Sequence, residues 1–524
     1  MRVLIKKIGI FFLCIVCILS FSGCTLIETG INYIKGVSAT QKPQTAKSET
    51  PSVKENAITI GVVELDTYNP LTTKSPTMKN MLGFMFEPLF VVGDDMNPVG
   101  VLATGYQVSP DGKSVRITLK ENVLWHNGQV FTARDVVYTI NSIRNSDSEY
   151  NRLIKDIVSV SQIDEYTINV IFNHSTPNPA SLLSFPIIRN NSMTDNFNPI
   201  GTGPFCLDYN KLSAFASYHG EKPKLEYISI KSVPDNEKFL SLFNASVIDI
   251  ADSEMIDMSE YMPRSNAKVH NYHSNEMVFV GFNAESDIFK YKEARRAVSA
   301  IINRQEIASH IYFSRATATN YPINPDSSFY PESKGNLGKD FGIAEKILKD
   351  AGWKKDKRNV YFYSDNISMT YFSVEILAKS SDKERLKIAS EISDAMSELG
   401  IKSRITSCSD DEFTQRINAG NYQMFIGKTS ILPNNDLTDL LSSGNLMRYS
   451  DTETDILISQ IGTLTNVEDE KGVYQKLADR LKEESPIAPI CFLKDSLITS
   501  SKLKSGVHPS MSGAVTKTEE WSVK

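Results

Sequence analysis

Apolar residues recur at helical spacing in several segments of the chain. Residues 132–135, Thr-Ala-Arg-Asp, form a capping box directly before an apolar run, so a helix should begin there. Apolar positions three and four residues apart, beginning at Tyr291, predict an amphipathic helix of about five turns. The same spacing over 344–351 predicts a shorter helix, which Gly352 ends.

A second capping box, at 381–384, precedes apolar positions at helical spacing that stop before Gly400. The order helix, glycine, strand in AMSELGIKSRITS is typical of β-α-β units. Alternating or β-branched runs predict strands at 58–63, 115–120, 166–172 and 277–283. Together these patterns predict an α/β protein, and about 470 residues is more than one core supports, so we expect two or three lobes.

The chain begins with a segment typical of secretion, MRVLIKKIGIFFLCIVCILSFSGC. A basic start precedes an apolar run over 8–19 that is too short to span a bilayer comfortably, so residues 1–23 are predicted to be a signal peptide. The small residues before Cys24 resemble the bacterial lipobox, whose cysteine is acylated with chains such as palmitate. Phe21 departs from the aliphatic residue usual in that pattern. Cys24 is therefore the predicted lipid attachment site, with an uncleaved anchor or an ordinary cleaved signal as alternatives.

Composition restricts the partners. Residues 24–56 are rich in Lys, Thr, Ser, Gln and Pro, and we expect them to be a flexible tether because they cannot bury enough apolar surface to fold. Beyond residue 23 the chain has 53 basic and 62 acidic side chains, a net charge of −9. With no basic cluster, no nucleic-acid partner is expected.

The remaining cysteines are few and widely spaced, which argues against disulfides and zinc and predicts buried free thiols: Cys206, Cys408 and Cys491.

No catalytic or metal-binding arrangement stands out. His270 and His273 form the one close pair among seven histidines, and a solvated loop is expected there because no His-Glu-x-x-His pattern or neighbouring cysteine accompanies them. The acidic clusters at 252–257 and 409–413 lack the spacing of a calcium loop. No nucleophile elbow occurs. We therefore expect a protein that is not an enzyme and has no catalytic residues, metal or cofactor.

The stretch GKTSILPNNDLTDLL, residues 427–441, contains the end of a possible phosphate-binding loop. That loop requires Gly-x-x-x-x-Gly-Lys-Ser/Thr, because its first glycine lets backbone N–H groups surround the phosphates. Tyr422 occupies the position of the first glycine. A nucleotide site is therefore not expected here.

Residues 85–140 resemble the signature region of a known family. They read MFEPLFVVGDDMNPVGVLATGYQVSPDGKSVRITLKENVLWHNGQVFTARDVVYTI. Glu-Pro-Leu, Leu-Ala, Trp-x-Asn-Gly and Phe-Thr-Ala-x-Asp-Val-Val all match the family 5 solute-binding proteins of bacterial ABC importers, the peptide- and nickel-binding lipoproteins. GTGPF at 201–205, GFNAESDIFKYKEARRAVSAIINRQEI at 281–307 and AEKILKDAGW at 344–353 continue the likeness in order. The resemblance covers roughly residues 57 to 500.

The resemblance implies a two-lobed clamshell of the type II periplasmic-binding-protein class, with an extra domain inserted in the first lobe. The first lobe would combine 57–80, 196–272 and 489–524. The inserted domain would be 81–195 and the second lobe 273–488. Ligand would bind in the cleft, and the lobes would close over it by a hinge motion.

Residues 419–441 align with the family segment in which a Gly-Trp is followed, three residues after the Trp, by an aspartate. In peptide-binding members that aspartate holds the ligand's α-ammonium, and nearby backbone groups pair with the extended peptide. Lys428 occupies the tryptophan position and Ile431 the aspartate position. The ligand-binding residues implied here are Gly427, Lys428, Thr429, Ser430 and Ile431.

The changed segment alters the expected charge chemistry. A buried ammonium without a carboxylate costs several kcal/mol, so Ile431 serves a free peptide N-terminus poorly. Asp436 or Asp439 would compensate if the loop register shifted. Lys428 either faces the cleft, where it would favour an anionic group, or extends into solvent.

Two more positions are carried over from the resemblance. Arg416 stands where some peptide binders have a cleft arginine, although it is equally placed to cap the solvated face of its helix. Thr73 lies in YNPLTTKSP, residues 68–76, which matches a first-lobe segment whose backbone usually touches ligand.

The function implied is the lipid-anchored, extracytoplasmic binding subunit of an ABC importer. We expect it to work as a monomer on the extracytoplasmic face of the cell membrane, at the cell surface or in the periplasm. It would deliver a peptide or another small solute to a permease and its ATPase. A receptor for a signalling peptide, or a binder of a nickel chelate, sugar or anion, would use the same fold.

Overall fold

The computed structural model describes residues 56–193, 197–253, 266–364, 368–464 and 467–523. The predicted signal peptide, Cys24 and nearly all of the predicted tether lie outside these residues. The helices are α1 (Pro76–Gly83), α2 (Ala133–Arg144), α3 (Asn151–Ile154), α4 (Asn236–Asn244), α5 (Lys292–Ala300), α6 (Arg304–Glu306), α7 (Phe341–Asp350), α8 (Lys383–Leu399), α9 (Asp410–Ala419), α10 (Thr438–Leu441), α11 (Thr452–Ile461) and α12 (Val467–Glu484).

The strands form two four-stranded sheets, a seven-stranded sheet and two smaller sheets. In chain order they are β1 (Ala57–Val62), β2 (Phe90–Val92), β3 (Pro98–Gly100), β4 (Ala103–Val108), β5 (Ser114–Leu119), β6 (Ile157–Asp164), β7 (Thr167–Phe172), β8 (Phe205–Asp208), β9 (Lys211–Ala214), β10 (Tyr227–Ser232), β11 (Ile250–Asp252), β12 (Lys268–Phe282), β13 (Ala316–Ala318), β14 (Lys354–Lys355), β15 (Tyr361–Ser364), β16 (Met369–Tyr371), β17 (Ser373–Lys379), β18 (Lys402–Cys408), β19 (Met424–Ser430) and β20 (Ile487–Thr499). The four strands predicted from the sequence are β1, β5, β7 and the second half of β12.

The two four-stranded sheets and the large sheet each have their own strand order. The first four-stranded sheet runs β1-β10-β9-β8, with β1 parallel to β10, and the second runs β4-β5-β7-β6. The large sheet runs β11-β20-β12-β19-β17-β18, with β13 beside β20. Its β17 is parallel to both β18 and β19, and α8 connects β17 to β18. The glycine-punctuated β-α-β unit predicted from the sequence is therefore present.

Both faces of the large sheet are covered, so its strands are largely buried. One apolar core contains side chains from β12, β17 and β19 together with α5, α7 and α8. The core on the opposite face includes Phe279, Phe425 and residues of α9, α11 and α12. A separate core combines the sheet of β4–β7 with α1, α2 and β1. The candidate ligand pocket lies beside the core that contains α9.

Local capping explains where the helices begin and end. The capping box of Thr132 and Asp135 starts α2, as predicted. The cap of α8 lies one residue later than predicted. Asp382, rather than Ser381, accepts the N-terminal hydrogen bond from the Arg385 amide, 2.9 Å away. Gly400 ends α8 at φ +98°, the left-handed conformation that glycine adopts without strain.

The prediction of a five-turn helix beginning at Tyr291 is wrong in length. The helix α5 ends at Ala300, and a break precedes α6 and a π-helical turn, Ile307–Ile311. Asn303 interrupts the helix because its side chain accepts a bond from the Glu306 amide and so caps a new start. The apolar periodicity that continues past Ala300 therefore lies on separate helical pieces.

The histidines and cysteines have ordinary roles in the structure. His270 and His273 both lie on the long strand β12 rather than in the solvated loop predicted. The His270 side chain is hydrogen-bonded to Thr499, and His273 pairs with Asp326. Over the described ranges, no three His, Cys, Asp or Glu side chains are grouped to hold a metal ion. The three cysteines named above are free; Cys206 is half-buried and the other two are buried. In the same ranges, no helix is long and apolar enough to cross a bilayer.

Candidate ligand-binding pocket

A cavity of about 480 Å³ lies beside the end of β19 and contains most of the predicted site residues. Gly427, Lys428, Thr429, Ser430 and Ile431 all line it. Its wall is otherwise mainly apolar and aromatic. These side chains come from β12, β19, α9 and the segment after α10: Phe279, Phe413, Ile417, Phe425, Leu446 and Met447. An apolar wall of this kind favours burial of an apolar ligand group.

Two aromatic rings occupy the space that a side chain on Gly427 would need. It lies opposite Phe279 in the pairing of β19 with β12. A Cβ at this position would lie 2.6 Å from the Phe279 ring and 2.8 Å from the Phe425 ring. The two rings meet edge to face, with centroids 5.7 Å apart. The glycine predicted from the resemblance therefore allows an aromatic pair to form the pocket wall.

The strand pairing continues beyond β19 to Ile431. Its backbone N–H donates to the Asn275 carbonyl at 2.9 Å, and its side chain is 4% exposed. The position that the resemblance aligned with an aspartate of peptide-binding members is thus an apolar part of the wall. A ligand ammonium placed here would find no carboxylate on this residue.

Charged side chains surround the apolar wall. Lys428 Nζ lies 3.0 Å from Glu276 Oε2, and both side chains are partly exposed. Lys428 therefore lines the pocket and is also partly exposed to solvent, so the structure has features of both orientations predicted from the sequence. Two further lining cations are also paired, Lys379 with Asp410 and Arg385 with Asp382.

Asp436 and Asp439 both line the pocket. Asp436 Oδ1 accepts from the Thr438 amide at 2.9 Å and from the Thr438 hydroxyl at 2.6 Å, so one carboxylate oxygen is bonded to the first residue of the short helix α10. The Asp439 carboxylate bonds the ammonium of Lys155, which belongs to the predicted inserted domain. Two carboxylates thus reach the cavity, eight and eleven residues after Lys428, although Ile431 itself is apolar.

A third carboxylate lies near the same strands. Asp495 is on β20, half-buried, and its Oδ1 accepts a bond from Ser253 at 3.4 Å. Burial raises the pKa of Asp495 to about 6, and the nearby charges of Glu276 and Asp252 add to the rise.

The structure does not bring two predicted site residues into the lining. Arg416, on α9, pairs through Nη2 with Glu375 Oε2 at 2.5 Å, and its Nε donates to the Asn421 carbonyl. Burial acts to raise the pKa of Glu375, but the bonds from Thr406 and Arg416 outweigh it, and the net pKa is lowered. Arg416 thus ties α9 to β17 and stands outside the cavity lining.

Thr73 also lies outside this lining. It is buried, and its hydroxyl donates to Asp66 Oδ1 at 2.7 Å. The Lys74 amide donates to the other oxygen of Asp66 at 2.6 Å. Burial acts to raise the pKa of Asp66, yet these bonds hold the pKa below its usual value. In this structure Thr73 organises its own loop.

Sequence reasoning missed the aromatic wall and two basic residues that bond lining side chains. Phe279, Phe413 and Phe425 lie on three separate elements, so no local pattern joins them. Arg152 and Lys155 lie more than 270 residues before the side chains that they bond, Ser430 and Asp439. One part of the wall did have a signal in the sequence. It is Gly427, which the pairing of β19 with β12 places beside Phe279.

A model of the family described as "Bacterial extracellular solute-binding proteins, family 5 Middle" matches residues 97–445, more than half of the chain. The chain belongs to this family. Family 5 proteins are extracytoplasmic binding components of ABC importers and are not enzymes. The resemblance inferred from the motifs at 85–140 is confirmed.

Relatives within the family support the same assignment along most of the chain. The oligopeptide-binding protein AppA of Bacillus subtilis (strain 168) is 22% identical over 484 residues, which is 84% of this chain and 88% of AppA. The glutathione-binding protein GsiB of Salmonella typhi is 23% identical over 474 residues, 84% of this chain and 89% of GsiB. The family match, rather than these low identities, establishes membership.

Solved structures show the fold. The crystal structure of a nickel ABC transporter protein from Bacillus halodurans superposes with a TM-score of 0.73 at 20% identity and covers 89% of this chain and all of that one. The family 5 chain described here is therefore a type II periplasmic-binding-protein clamshell with mixed α/β lobes, as the motifs predicted.

Proposed function

We propose that this family 5 protein is the lipid-anchored binding subunit of an ABC importer and that it captures a peptide or a related small solute in the pocket beside β19. The observation that carries the proposal is the cavity itself. It is lined by the strand segment for which the resemblance implies ligand contact, and its apolar wall and charged rim suit a small amphipathic solute. The relatives AppA and GsiB, named for oligopeptide and glutathione binding, support this ligand class.

The long strands provide a place for the lobes to hinge. Both β12 and β20 cross the proposed lobe boundaries, at 272/273 and 488/489. The pairing between these strands shifts register between His273 and Met277, next to the first boundary. We propose that closure bends the protein here, since a bulge in the ladder is a local point of reduced pairing.

The cleft proposed here would close on the ligand through the inserted domain. The Ser328 amide donates to the Asp95 carbonyl at 3.2 Å, and Asn434 Nδ2 donates to the Pro177 carbonyl at 2.9 Å. Each bond joins the proposed inserted domain to the proposed second lobe. A protein held by a lipid on Cys24 and a flexible tether would present this closed form to a permease in the same membrane.

The proposal is tested by identifying what the protein carries. The full chain would be purified gently in detergent and denatured, and the released small molecules identified by mass spectrometry, because a buried ligand stabilises the protein that holds it. Short peptides or peptide-like solutes in stoichiometric amount are expected. Release of nickel or a sugar as the stoichiometric species would contradict the peptide assignment. Mass analysis of the N-terminal fragment would show an acylated Cys24, and a free, unmodified residue 24 would contradict the anchor.

A further inference from the structure

Five cationic side chains line the pocket or bond a side chain that lines it, within the residues described. Four of them pair with carboxylates: Lys379 with Asp410, Arg385 with Asp382, Lys428 with Glu276, and Lys155 with Asp439. The fifth, Arg152, donates through Nη1 to the hydroxyl of Ser430, 2.7 Å away. Over the same ranges no carboxylate lies within ion-pair distance of Arg152. This guanidinium therefore faces a neutral partner at the rim.

The position of Arg152 joins two parts of the fold. It lies on the short helix α3, whereas Ser430 is the last residue of β19 and lines the cavity. Lys155, one turn further along, bonds another lining residue, Asp439. The guanidinium thus reaches the rim from an element other than the lining strand. A group bound at the rim would meet Arg152 and Ser430 together.

The chemistry of the guanidinium indicates what it would bind. Its five N–H donors lie in one plane and match the two oxygens of a carboxylate. A ligand carboxylate that approached one of the other four cations would have to compete with an existing ion pair. At Arg152 it would only replace or share a bond to a neutral hydroxyl, which is the weaker interaction.

We propose that Arg152 holds a carboxylate of the bound ligand at the rim of the pocket. The inference rests on the proposed function and narrows it. The ligand class is a small solute with an apolar group for the wall of Phe279, Phe413 and Phe425 and a carboxylate for Arg152. Arg152 is then a specificity-determining residue contributed by the inserted domain.

Three pools of synthetic peptides, two to five residues long and rich in Phe and Leu, test this. The first pool has free C-termini and no Asp or Glu. The second has amidated C-termini and no Asp or Glu. The third is amidated and contains one Asp or Glu. Each pool is offered to the full chain, to Arg152→Met and to Arg134→Met, and retained peptides are quantified by mass spectrometry. Arg134 is the matched control, an exposed arginine at the start of α2 that does not line the cavity.

The wild type is expected to retain the first or third pool about tenfold better than the second, and which pool it prefers shows whether the carboxylate is terminal or in a side chain. Arg152→Met should lose that preference and keep its binding of the second pool, while Arg134→Met should behave as wild type. Equal retention of all pools by the wild type, or an unchanged preference in Arg152→Met, overturns the inference alone. If the wild type binds no pool, both the peptide function and the inference are contradicted.

Discussion

Gly427 shows how one residue links the strand to the pocket. Its hydrogen atom fills a gap between Phe279 and Phe425, and the rings on either side form part of the apolar wall. Any side chain there must push the rings apart or move the strand. The cost of such overpacking is usually about 1–3 kcal/mol.

Gly427→Ala should therefore lower the free energy of unfolding by about 1–3 kcal/mol, as measured by urea denaturation. Gly105→Ala on β4 is the matched control, because no heavy atom lies within 4 Å of the Cβ it would add. The control should change stability little. If the two substitutions had equal effects, the close contact with Phe279 would not be the reason for glycine at 427.

Glu470 is a second residue whose surroundings make a measurable prediction. It is 9% exposed, and its Oε1 has no hydrogen-bond partner among the residues described. Burial raises the pKa of Glu470 from 4.5 to about 7. Because the folded state holds its proton more tightly than the unfolded state, the stability contribution is complete below pH 4.5 and is lost as the pH rises through about 7.

Glu470→Gln should remove this loss. At pH 8 the variant should be more stable than wild type by up to about 3 kcal/mol, and the two should converge near pH 4.5. Urea denaturation across that pH range measures the difference. Asp469→Asn, at an exposed neighbouring position on α12, should keep the wild-type pH dependence. A parallel pH profile for Glu470→Gln and wild type would show that the carboxyl is not buried as described.

At the scale of the elements, caps rather than apolar periodicity determine where helices begin and stop. The helix α8 begins at Asp382, whose carboxylate accepts from the Arg385 amide and also pairs with the Arg385 guanidinium at 2.7 Å. The Ser381 hydroxyl instead donates to Asp410 at 2.5 Å and is exposed. The two neighbours therefore have different roles despite similar capping ability.

Asp382→Ala should cost about 1 kcal/mol or more of unfolding free energy, because it removes both the cap and the partner of a buried guanidinium. Ser381→Ala should cost less, because it removes one exposed hydrogen bond. Thermal or urea unfolding of the two variants gives the comparison. A larger loss of unfolding free energy for Ser381→Ala than for Asp382→Ala would contradict this and support Ser381 as the cap.

Sequence patterns predicted the local elements well where each signal was local. The box at Thr132, the glycine that ends α8 and the strand β7 each depend on a few adjacent residues. The break after Ala300 was missed because Asn303 competes with the helix through a side-chain bond that apolar spacing does not reveal. The first half of β12 is polar and partly exposed, so its pairing with β20 gave no apolar signal.

At the scale of the whole molecule, the site depends on chain segments that are distant in sequence. Family motifs predicted the strand segment 427–431, since the resemblance extends over the chain in order. They did not predict the aromatic wall or Arg152, because contacts such as that between Arg152 and Ser430 span 278 residues. The ion pair of Arg416 with Glu375 likewise required the fold, since it joins α9 to β17. Long-range packing, rather than local propensity, decides which side chains line the cavity.

The central claim is that the cavity beside β19 is where ligand binds. Thr414 is an exposed residue of α9 that lines this cavity, and Gln415 is its exposed neighbour outside the lining. Tryptophan at 414 would occupy the cavity without replacing a buried side chain, whereas tryptophan at 415 would not enter it. The measurement is the affinity, by calorimetry, of the compound released from the wild-type protein for Thr414→Trp and Gln415→Trp. We expect at least about a tenfold loss of affinity for Thr414→Trp and wild-type affinity for Gln415→Trp. Equal affinity in both variants would contradict it and place the ligand elsewhere.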